Sequence, residues 1–175
     1  MLSSIPHLST THLIRTTIQT KLGEMEALAD DNFLYYLNFS DHGTINTTTS
    51  SLKINSKLYS ATNTLLEQLK NELQSYLHGS LKIFTIPLYL NGTESQKLAW
   101  KKLQEIPYGQ TRSYKQQAQM LGNVKAHRAV ANCNARNKII ILIPCHRVIN
   151  SNGTLGGYSA GLERKKTLLE IEGSC

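Results

Sequence analysis

A run of five apolar residues, Ile139-Ile140-Ile141-Leu142-Ile143, stops at Pro144 and is followed by Cys145 and His146. An uninterrupted apolar run of this length, rich in β-branched residues, predicts a buried strand. Proline has no N–H to donate to a neighbouring strand, so the pairing must end there. The chain therefore has to bury this run in a core, with a thiol and an imidazole side by side where the buried element ends.

The Cys145-His146 pair has two interpretations from the residues alone. A side chain on a turn that is anchored by a rigid element is well placed to act as a nucleophile. A free thiol has a pKa of about 8.5, and a neighbouring cation lowers it towards neutral pH. Alternatively, Cys145 is a structural core residue, because cysteine is among the most frequently buried residue types.

The composition indicates a globular protein with one domain or two small ones. There are 175 residues, of which 40% are hydrophobic and 18% charged, which suffices for a folded core. No apolar run approaches the ~20 residues that cross a bilayer, and residues 1–11 lack the basic and apolar regions of a signal peptide. We therefore expect a cytoplasmic protein without membrane association.

The three cysteines, Cys133, Cys145 and Cys175, are an odd number at wide spacing, which does not make a disulfide framework. The chain contains no C-x-x-C pair and so gives no support for a zinc site. We expect neither a metal nor a cofactor.

Positive charge is concentrated in the second half of the chain. Residues 1–90 carry six Lys/Arg against seven Asp/Glu, whereas residues 91–175 carry thirteen against five. An excess of eight positive charges beside the Cys145-His146 pair favours a polyanionic partner, with nucleic acid the first candidate. The alternative is that these lysines and arginines only solvate helix faces.

The N-terminal half is predicted to be a small α/β domain, residues 1–90. Residues 12–19, 24–30 and 33–39 have the composition of strands, and short turns between them predict an antiparallel meander. Residues 40–51 are rich in Ser, Thr, Asn and Gly and predict a loop. Leucines at helical spacing predict a helix over residues 62–77, closed by Gly79, and a short strand is predicted over residues 82–86. No chemistry can be assigned to this half, and we expect it to be a scaffold.

The C-terminal half, residues 91–175, is predicted to be mostly helical. Capping boxes at Thr93 and Ser113 predict helices over residues 93–106 and 114–121. A further helix is predicted from residue 124 to about 133, and a last one over residues 162–171. The two middle helices, joined by a tight glycine turn, fit a DNA-binding helix-turn-helix, with Lys125 and Arg128 early in the second helix. A generic helix pair would give the same pattern.

The segment between the Cys-His pair and the last helix is rich in glycine and hydroxyl side chains. Residues 150–161 contain four glycines, which predicts a tightly turning loop. The spacing does not match a dinucleotide-binding G-x-G-x-x-G after a strand. We interpret the loop as a pocket wall whose backbone allows close approach of a flat ligand.

Pro144-Cys145-His146-Arg147-Val148, preceded by Ile141-Leu142-Ile143, resembles the signature of the O6-alkylguanine-DNA alkyltransferases, the methylated-DNA–protein-cysteine methyltransferases. The likeness extends over about residues 90–173, in the family's order and spacing. The matching segments are Ile106-Pro-Tyr-Gly-Gln110, Ser113-Tyr114, Arg128-Ala-Val130, Arg136-Asn137, Asn152-Gly153, Gly156-Gly157-Tyr158-Ser159, Gly161 and Glu170-Ile-Glu172-Gly173. The N-terminal half resembles the family's variable domain more loosely.

The resemblance implies an α/β (α+β) protein with a ribonuclease H-like N-terminal domain and a winged-helix-like C-terminal domain that carries the helix-turn-helix. It implies suicidal repair of DNA, in which the O6-alkyl group of guanine, or the O4-alkyl group of thymine, is transferred irreversibly to Cys145. His146 would act on the thiol through a water, with Glu172 orienting the imidazole. Asn137 would brace the turn, and Tyr114 would donate a proton to the guanine ring.

By the same resemblance, the partner is double-stranded DNA containing O6-alkylguanine. The base is flipped out of the duplex while the second helix occupies the minor groove. The protein is expected to be a monomer, with cooperative binding of several copies left open, and the compact chain without an obvious nuclear-localisation run fits a prokaryotic cytoplasm. Arg128 would enter the base stack, and Ser159 with the 155–160 loop would wall the pocket. The residues expected to contact DNA or the base are Ser113, Tyr114, Lys125, Ala126, His127, Arg128, Ala129, Arg136, Val148, Gly156, Gly157, Tyr158 and Ser159.

The chain departs from the family pattern at a few positions. His127, Asn132 and Cys133 are bulkier than the small residues usual along the recognition helix, and Lys138 and Ile140 replace prolines common after Asn137. Two other classes of function remain possible from the residues: a DNA-binding module without transfer activity, and a cysteine hydrolase. Adjacent side chains diverge and seldom make a direct thiol–imidazole pair, which weakens the hydrolase.

Overall fold

The computed structural model describes residues 13–42 and 59–174. The first strands form the predicted antiparallel meander: β1 (Ile14–Thr20), β2 (Gly23–Ala29) and β3 (Leu34–Phe39). A short strand that the sequence did not predict, β4 (Tyr59–Ser60), pairs in parallel with β1, so that the sheet order is β3-β2-β1-β4. Residue 12 and the part of the predicted loop over residues 43–51 lie outside the described residues.

Helix α1 (Thr64–Leu77) contacts β1 and β2. Asn63 caps it, since its side chain accepts a hydrogen bond from the backbone N–H of Leu66, and Gly79 follows its C-terminal end with a φ of 77°. Apolar residues at helical spacing form the buried face of the helix. The buried residues are Leu65, Leu66, Leu69, Leu73, Tyr76 and Leu77.

The remaining helices are α2 (Glu94–Gln104), α3 (Tyr114–Met120), α4 (His127–Ala135) and α5 (Leu162–Ile171). Both capping boxes predicted from the sequence are present, at Thr93 and at Ser113. Helices α3 and α4 pack against each other as the predicted pair, and a 3-10 turn, Val124–Ala126, precedes α4. Gly122 takes a φ of 77° between them, which a residue with a Cβ rarely adopts. The α/β fold class is thereby confirmed.

Two predicted strands are wrong. Residues 82–86 form no strand, and the chain reaches the sheet only at Leu88, which makes a single bridge to Leu34. Residues 139–143 are buried as expected but do not form a regular strand. Ile141 has a φ of 74°, which folds the run into a tight turn with a bridge between Ile140 and Ile143. Burial explains the apolar composition, and the run did not need an extended backbone to achieve it.

The two halves share one hydrophobic core. Ile139 bridges to Leu37 of β3, and the backbone of Leu37 exchanges hydrogen bonds with Lys138 and Ile140 at 2.9 and 3.0 Å. Side chains from the sheet, from α1, α2 and α5, and from the 139–143 turn lie in the same buried cluster. The turn that carries Cys145 is therefore attached directly to the N-terminal sheet.

Arg164 of α5 makes a second connection between the halves. Its guanidinium makes a bidentate ion pair with Asp41 at 2.9 Å, donates to the carbonyl of Leu22 and lies 3.9 Å from the centre of the Phe39 ring. These contacts fix the position of α5, which carries Lys165, a residue whose charge acts on the Cys145 thiol. Among the described residues, no helix is long and apolar enough to cross a membrane.

Candidate active site

The turn after residue 143 places Cys145 at the start of a short 3-10 helix, Cys145–Arg147. The side chain of Asn137 holds this turn by two hydrogen bonds to its backbone. Its side-chain oxygen accepts from the backbone of Ile139 at 3.0 Å, and its amide donates to the carbonyl of Ile143 at 2.8 Å. The backbone N–H of Cys145 also donates to Ile143, at 2.8 Å. One buried amide therefore fixes both arms of the turn.

The thiol of Cys145 is buried and accepts a hydrogen bond from the Asn137 amide, with 3.2 Å between nitrogen and sulfur. Burial raises the pKa of the Cys145 thiol, because a thiolate loses solvation there. The Asn137 hydrogen bond and the charge of Lys165 act in the opposite direction. The site is thus built so that a thiolate, once formed, has a donor and a cation to stabilise it.

Glu172 is the centre of a buried polar cluster behind Cys145. Its carboxylate accepts three hydrogen bonds from Arg147, at 2.9 to 3.1 Å, and one from the ring Nε2 of His146 at 3.1 Å. The hydroxyl of Tyr76 donates to it at 2.5 Å, and the backbone N–H of Gly109 donates at 3.3 Å. Burial by itself would raise the pKa of Glu172, but the hydrogen bonds from His146 and Arg147 outweigh it and lower the pKa to about 2. The carboxylate is therefore ionised at neutral pH.

His146 is completely buried, with 0% of its surface exposed. Burial lowers the pKa of the imidazole, and the neighbouring Glu172 carboxylate only partly restores it. The ring is therefore neutral at neutral pH and able to accept a proton. Its Nε2 faces Glu172 and Tyr76, whereas its Nδ1 has no hydrogen-bond partner among the described residues. The structure shows no direct hydrogen bond from the imidazole to the Cys145 thiol.

A cavity of about 680 Å³ opens in front of Cys145. It lies between the helix pair α3–α4 on one side and residues 150–159 on the other. Several residues that the sequence analysis singled out line it together. They are Tyr114, His127, Arg128, Cys145, Gly157, Tyr158 and Ser159. A cavity of this size accommodates a nucleobase-sized ligand, with the thiol among its lining groups.

Tyr114 connects the two walls of the cavity. Its hydroxyl donates to the carbonyl of Gly157 at 3.3 Å. Gly156 adopts a φ of 67°, and a Cβ at this position would lie 3.1 Å from the Tyr114 ring. Burial, together with the nearby Cys145, raises the pKa of the Tyr114 phenol. Tyr114 therefore keeps its proton at neutral pH and can donate it.

The remaining predicted contact residues are not among those that line the cavity. Lys125, Ala129 and Arg136 are exposed in or beside α4, and Ala126 is partly exposed. Ser113 is half-buried, and its hydroxyl caps α3. Val148 was wrongly predicted to contact DNA, because its side chain is 0% exposed and packs in the core.

Three residues of the site were not found from the sequence: Tyr76, Arg147 and Lys165. Lys165 is 0% exposed, and its ammonium donates to the carbonyls of Val148, Leu155 and Gly157. Burial lowers the pKa of Lys165 to about 8. A sequence signal for it existed, since residue 165 shares a helix face with the apolar residues 168 and 169.

Lys165 secures the wall of the cavity to the Cys145 turn. Val148 follows the turn, whereas Leu155 and Gly157 belong to the loop that walls the cavity. The single ammonium group of Lys165 therefore bonds to the backbone of both segments. Among the described residues, no group of three or more His, Cys, Asp or Glu side chains is arranged to hold a metal ion.

Two family models match the chain, and together they cover most of it. The model described as 6-O-methylguanine DNA methyltransferase, ribonuclease-like domain, matches residues 13–90. The model described as 6-O-methylguanine DNA methyltransferase, DNA binding domain, matches residues 94–174. The second match contains the Cys145 turn, the helix pair and Glu172.

Relatives and solved structures agree with these matches. The methylated-DNA–protein-cysteine methyltransferase of Methanosarcina acetivorans is 51% identical over 108 residues, which cover 62% of this chain and 69% of the relative. The crystal structure of Mycobacterium tuberculosis O6-methylguanine methyltransferase is 34% identical, with 93% of each chain covered and a TM-score of 0.80.

Two further solved structures extend the comparison. M. tuberculosis OGT in complex with DNA has the same TM-score of 0.80 and 34% identity, over 92% of this chain and 93% of that one. The enzyme from Pyrococcus kodakaraensis, 23% identical with a TM-score of 0.68, covers 92% of this chain and 99% of its own and shares the fold. Since the likeness covers both halves and nearly the whole of a solved relative, the chain belongs to the 6-O-methylguanine DNA methyltransferase family.

Proposed function

We propose that this protein repairs alkylated DNA by transferring the O6-alkyl group of guanine to its own Cys145. The Cys145 thiolate attacks the alkyl carbon, a carbon–sulfur bond forms, and the carbon–O6 bond breaks with its electron pair passing to the guanine. The thiol proton is taken up by the His146 side of the site, and the guanine ring receives a proton from Tyr114. The products are S-alkylcysteine and guanine, and atoms and charge balance because the proton taken up by His146 replaces the one that Tyr114 gives to the guanine.

The observation that carries this proposal is the position of Cys145. A buried thiol with a hydrogen-bond donor lines a nucleobase-sized cavity beside a basic helix pair. Alkyl transfer needs a thiolate that is shielded from water and a leaving group that can be protonated. Burial shields the thiolate, and Asn137 and Lys165 stabilise it. Tyr114, whose pKa is raised, keeps a proton that it can give to the leaving group.

The route of the thiol proton follows from the partners of His146. Its Nε2 is bonded to Glu172, which leaves Nδ1 as the nitrogen able to accept a proton. We propose that a water molecule links Nδ1 to the Cys145 sulfur, because a neutral, buried imidazole nitrogen needs a polar partner. Glu172 stabilises the imidazolium that results, in the logic of nucleophile, base and orienting carboxylate.

Residues 91–175 would carry DNA binding and alkyl transfer, with residues 1–90 supporting them. Two exposed residues at the start of α4, His127 and Arg128, line the cavity. We assign double-stranded DNA as the partner and a flipped base as the occupant of the cavity. Arg128 would fill the space that the base leaves, and Lys125 and Arg136 would contact phosphates.

Incubation with an oligonucleotide containing O6-methylguanine tests the proposed function. We expect the intact mass of the protein to increase by one methyl group, and peptide analysis to locate that group on Cys145. Because a thioether has no hydrolytic route back to the thiol, one equivalent of DNA is repaired per protein. Unmodified protein that still binds the DNA would indicate a binding module, and repeated turnover would contradict the suicide mechanism.

Replacing Arg128 with alanine separates base flipping from chemistry. We expect the transfer rate from duplex DNA to fall by roughly 10²-fold, because unstacking a base costs a few kcal/mol that the inserted side chain offsets. Transfer from free O6-benzylguanine should change less than about threefold. Single-turnover rates on both substrates provide the measurement, with Lys101→Ala as a control for loss of positive charge outside the cavity. Equal losses on the two substrates would show that Arg128 is not the intercalating residue.

A further inference from the structure

Tyr76 is the only residue of α1 that hydrogen-bonds to the polar cluster of the described site. It lies near the C-terminal end of the helix, at 0% exposure, and its ring packs against Phe84 and Tyr108 with centroids 5.0 and 6.0 Å away. Its hydroxyl lies 2.5 Å from Glu172 Oε1 and 3.3 Å from His146 Nε2. A side chain of the N-terminal half thus contacts both members of the pair that serves Cys145.

We infer that Tyr76 is a positioning residue for alkyl transfer, which fixes the tautomer of His146 and moderates the charge of Glu172. This inference rests on the proposed function. It gives the N-terminal half a part in the reaction beyond that of a scaffold. It also explains why a hydroxyl, and not only an aromatic ring, lies at this point of the core.

The assignment of hydrogens carries the inference. A contact of 2.5 Å between a phenol and a carboxylate requires a hydrogen between the two oxygens. Glu172 is ionised at neutral pH, so the hydrogen is bonded to the Tyr76 oxygen and is donated to Glu172. Towards His146, the phenol then has only lone pairs to offer.

It follows that both groups facing Nε2 are acceptors. Glu172 Oε1 lies 3.1 Å from Nε2 and Tyr76 Oη lies 3.3 Å away. Nε2 must therefore carry the hydrogen of the neutral ring, and Nδ1 must be the bare nitrogen. With Nδ1 bare, His146 can take a proton from the Cys145 side without first exchanging its own.

The hydrogen bond from Tyr76 also stabilises the negative charge of the Glu172 carboxylate. The oxygen that accepts from Tyr76 is the same Oε1 that faces His146. If the hydroxyl is removed, Oε1 keeps more negative charge for the imidazole, which favours the imidazolium. In Tyr76→Phe the pKa values of His146 and of Glu172 should both move upward. Arg147 and Gly109 still donate to Glu172 in that variant, and the ring packing is retained.

The other ionisable groups around the cluster stay in place in the variant. Arg147 is bound to Glu172 and faces the ring of Tyr108. Tyr158 lies edge-on to His146, with 6.5 Å between ring centroids. The charges of Lys165 and Arg147 both act against a protonated imidazole. Since none of these is altered, a change in titration reports on the Tyr76 hydroxyl.

Tyr35→Phe is a matched control. Tyr35 is also a buried tyrosine of the N-terminal half, and its hydroxyl donates to the carboxylate of Asp30 at 2.6 Å. It belongs to a separate buried cluster with Leu13, Leu28 and Tyr36. Both substitutions delete one phenol–carboxylate hydrogen bond from the same half of the chain, and only one of the two bonds reaches the active site.

The experiment combines single-turnover rates across pH with NMR of the histidine ring nitrogens in the full-length protein. We expect wild-type His146, identified by its loss in His146→Gln, to be the Nε2–H tautomer. In Tyr76→Phe, we expect a transfer rate lower by about tenfold at neutral pH, because a larger fraction of His146 is already protonated and cannot accept the thiol proton. The His146 titration and the acidic limb of the rate profile should both move to higher pH. Tyr35→Phe should leave the titration and the profile unchanged.

Two outcomes would overturn the inference. One is an Nδ1–H tautomer in the wild-type protein, which can be observed even if the variant does not fold. The other is a Tyr76→Phe protein that has a lower melting temperature but an unaltered titration and rate profile, since that is what a purely structural role predicts. Failure of the wild-type protein to accept a methyl group would count against the proposed function instead, and the NMR result would still stand.

Discussion

We expect Cys145→Ser to abolish methyl transfer, with a loss of at least about 10³-fold in the single-turnover rate. A serine hydroxyl is not ionised at neutral pH, and the buried position that raises the pKa of the thiol disfavours an alkoxide still more. The side chains have similar shapes, so the turn held by Asn137 is retained. Binding of an oligonucleotide containing O6-methylguanine should change less than about threefold, since Cys145 is a small, uncharged side chain buried at the cavity.

Cys133→Ser is the control for this variant. Cys133 is the other free cysteine among the described residues and lies half-buried in α4, away from the cavity lining. Burial raises the pKa of its thiol, and no amide of the described residues donates to it in the way that Asn137 donates to Cys145. We expect full transfer in this control. Methylation of Cys133 in the Cys145→Ser protein would show that the acceptor has been misidentified.

Glu172→Gln should produce the largest loss of stability of any conservative substitution at the site. The carboxylate is buried and is paired with the buried guanidinium of Arg147. Removing one partner of a buried ion pair costs about 3–5 kcal/mol, because the other charge is left without compensation. For a domain of this size, the melting temperature should fall by roughly 10 °C. Calorimetry or circular dichroism at neutral pH measures the change.

The pH dependence of this variant provides an independent check. The pKa of Glu172 is lowered to about 2 from an ordinary value of 4.5. The stabilisation is therefore fully present above pH 4.5 and is lost as the pH falls through the interval down to about 2. By this linkage the carboxylate contributes about 3 kcal/mol at neutral pH, which is the same interaction estimated by a second route. The difference in stability between wild type and Glu172→Gln should disappear across that interval.

Glu170→Gln is the matched control, because Glu170 lies in α5 only two residues before Glu172, which caps the C-terminal end of that helix. Its carboxylate is half-exposed and lies 3.9 Å from Lys166, an arrangement of little energetic value. We expect no measurable change in melting temperature or transfer. In Glu172→Gln, transfer should fall by about 10²-fold as well, because His146 loses the anion that stabilises its protonated form. A variant as stable as the wild type at pH 7 would mean that the ion pair is not formed as described.

Several features of the fold were predictable because their causes are local. The capping boxes at Thr93 and Ser113 use residues three apart, and both helices begin where these boxes place them. The apolar face of α1 repeats at helical spacing and is buried accordingly. The apolar run before Pro144 predicted burial correctly, but it predicted a strand wrongly. Apolar composition reports burial, whereas the left-handed conformation of Ile141 depends on the Asn137 amide and on pairing with β3.

The chain by itself indicated the candidate acceptor and the helix pair in the basic half. The local pattern left Cys145 as either a nucleophile or a core residue and the helices as either DNA-binding or generic, and the resemblance to the alkyltransferases favoured the first interpretation of each. Only the tertiary structure decided the surroundings of the thiol. Glu172 lies 26 residues from His146, and Tyr76 lies 96 residues from Glu172. No periodicity encodes contacts at such separations, because they arise when α1, α5 and the Cys145 turn pack on one core.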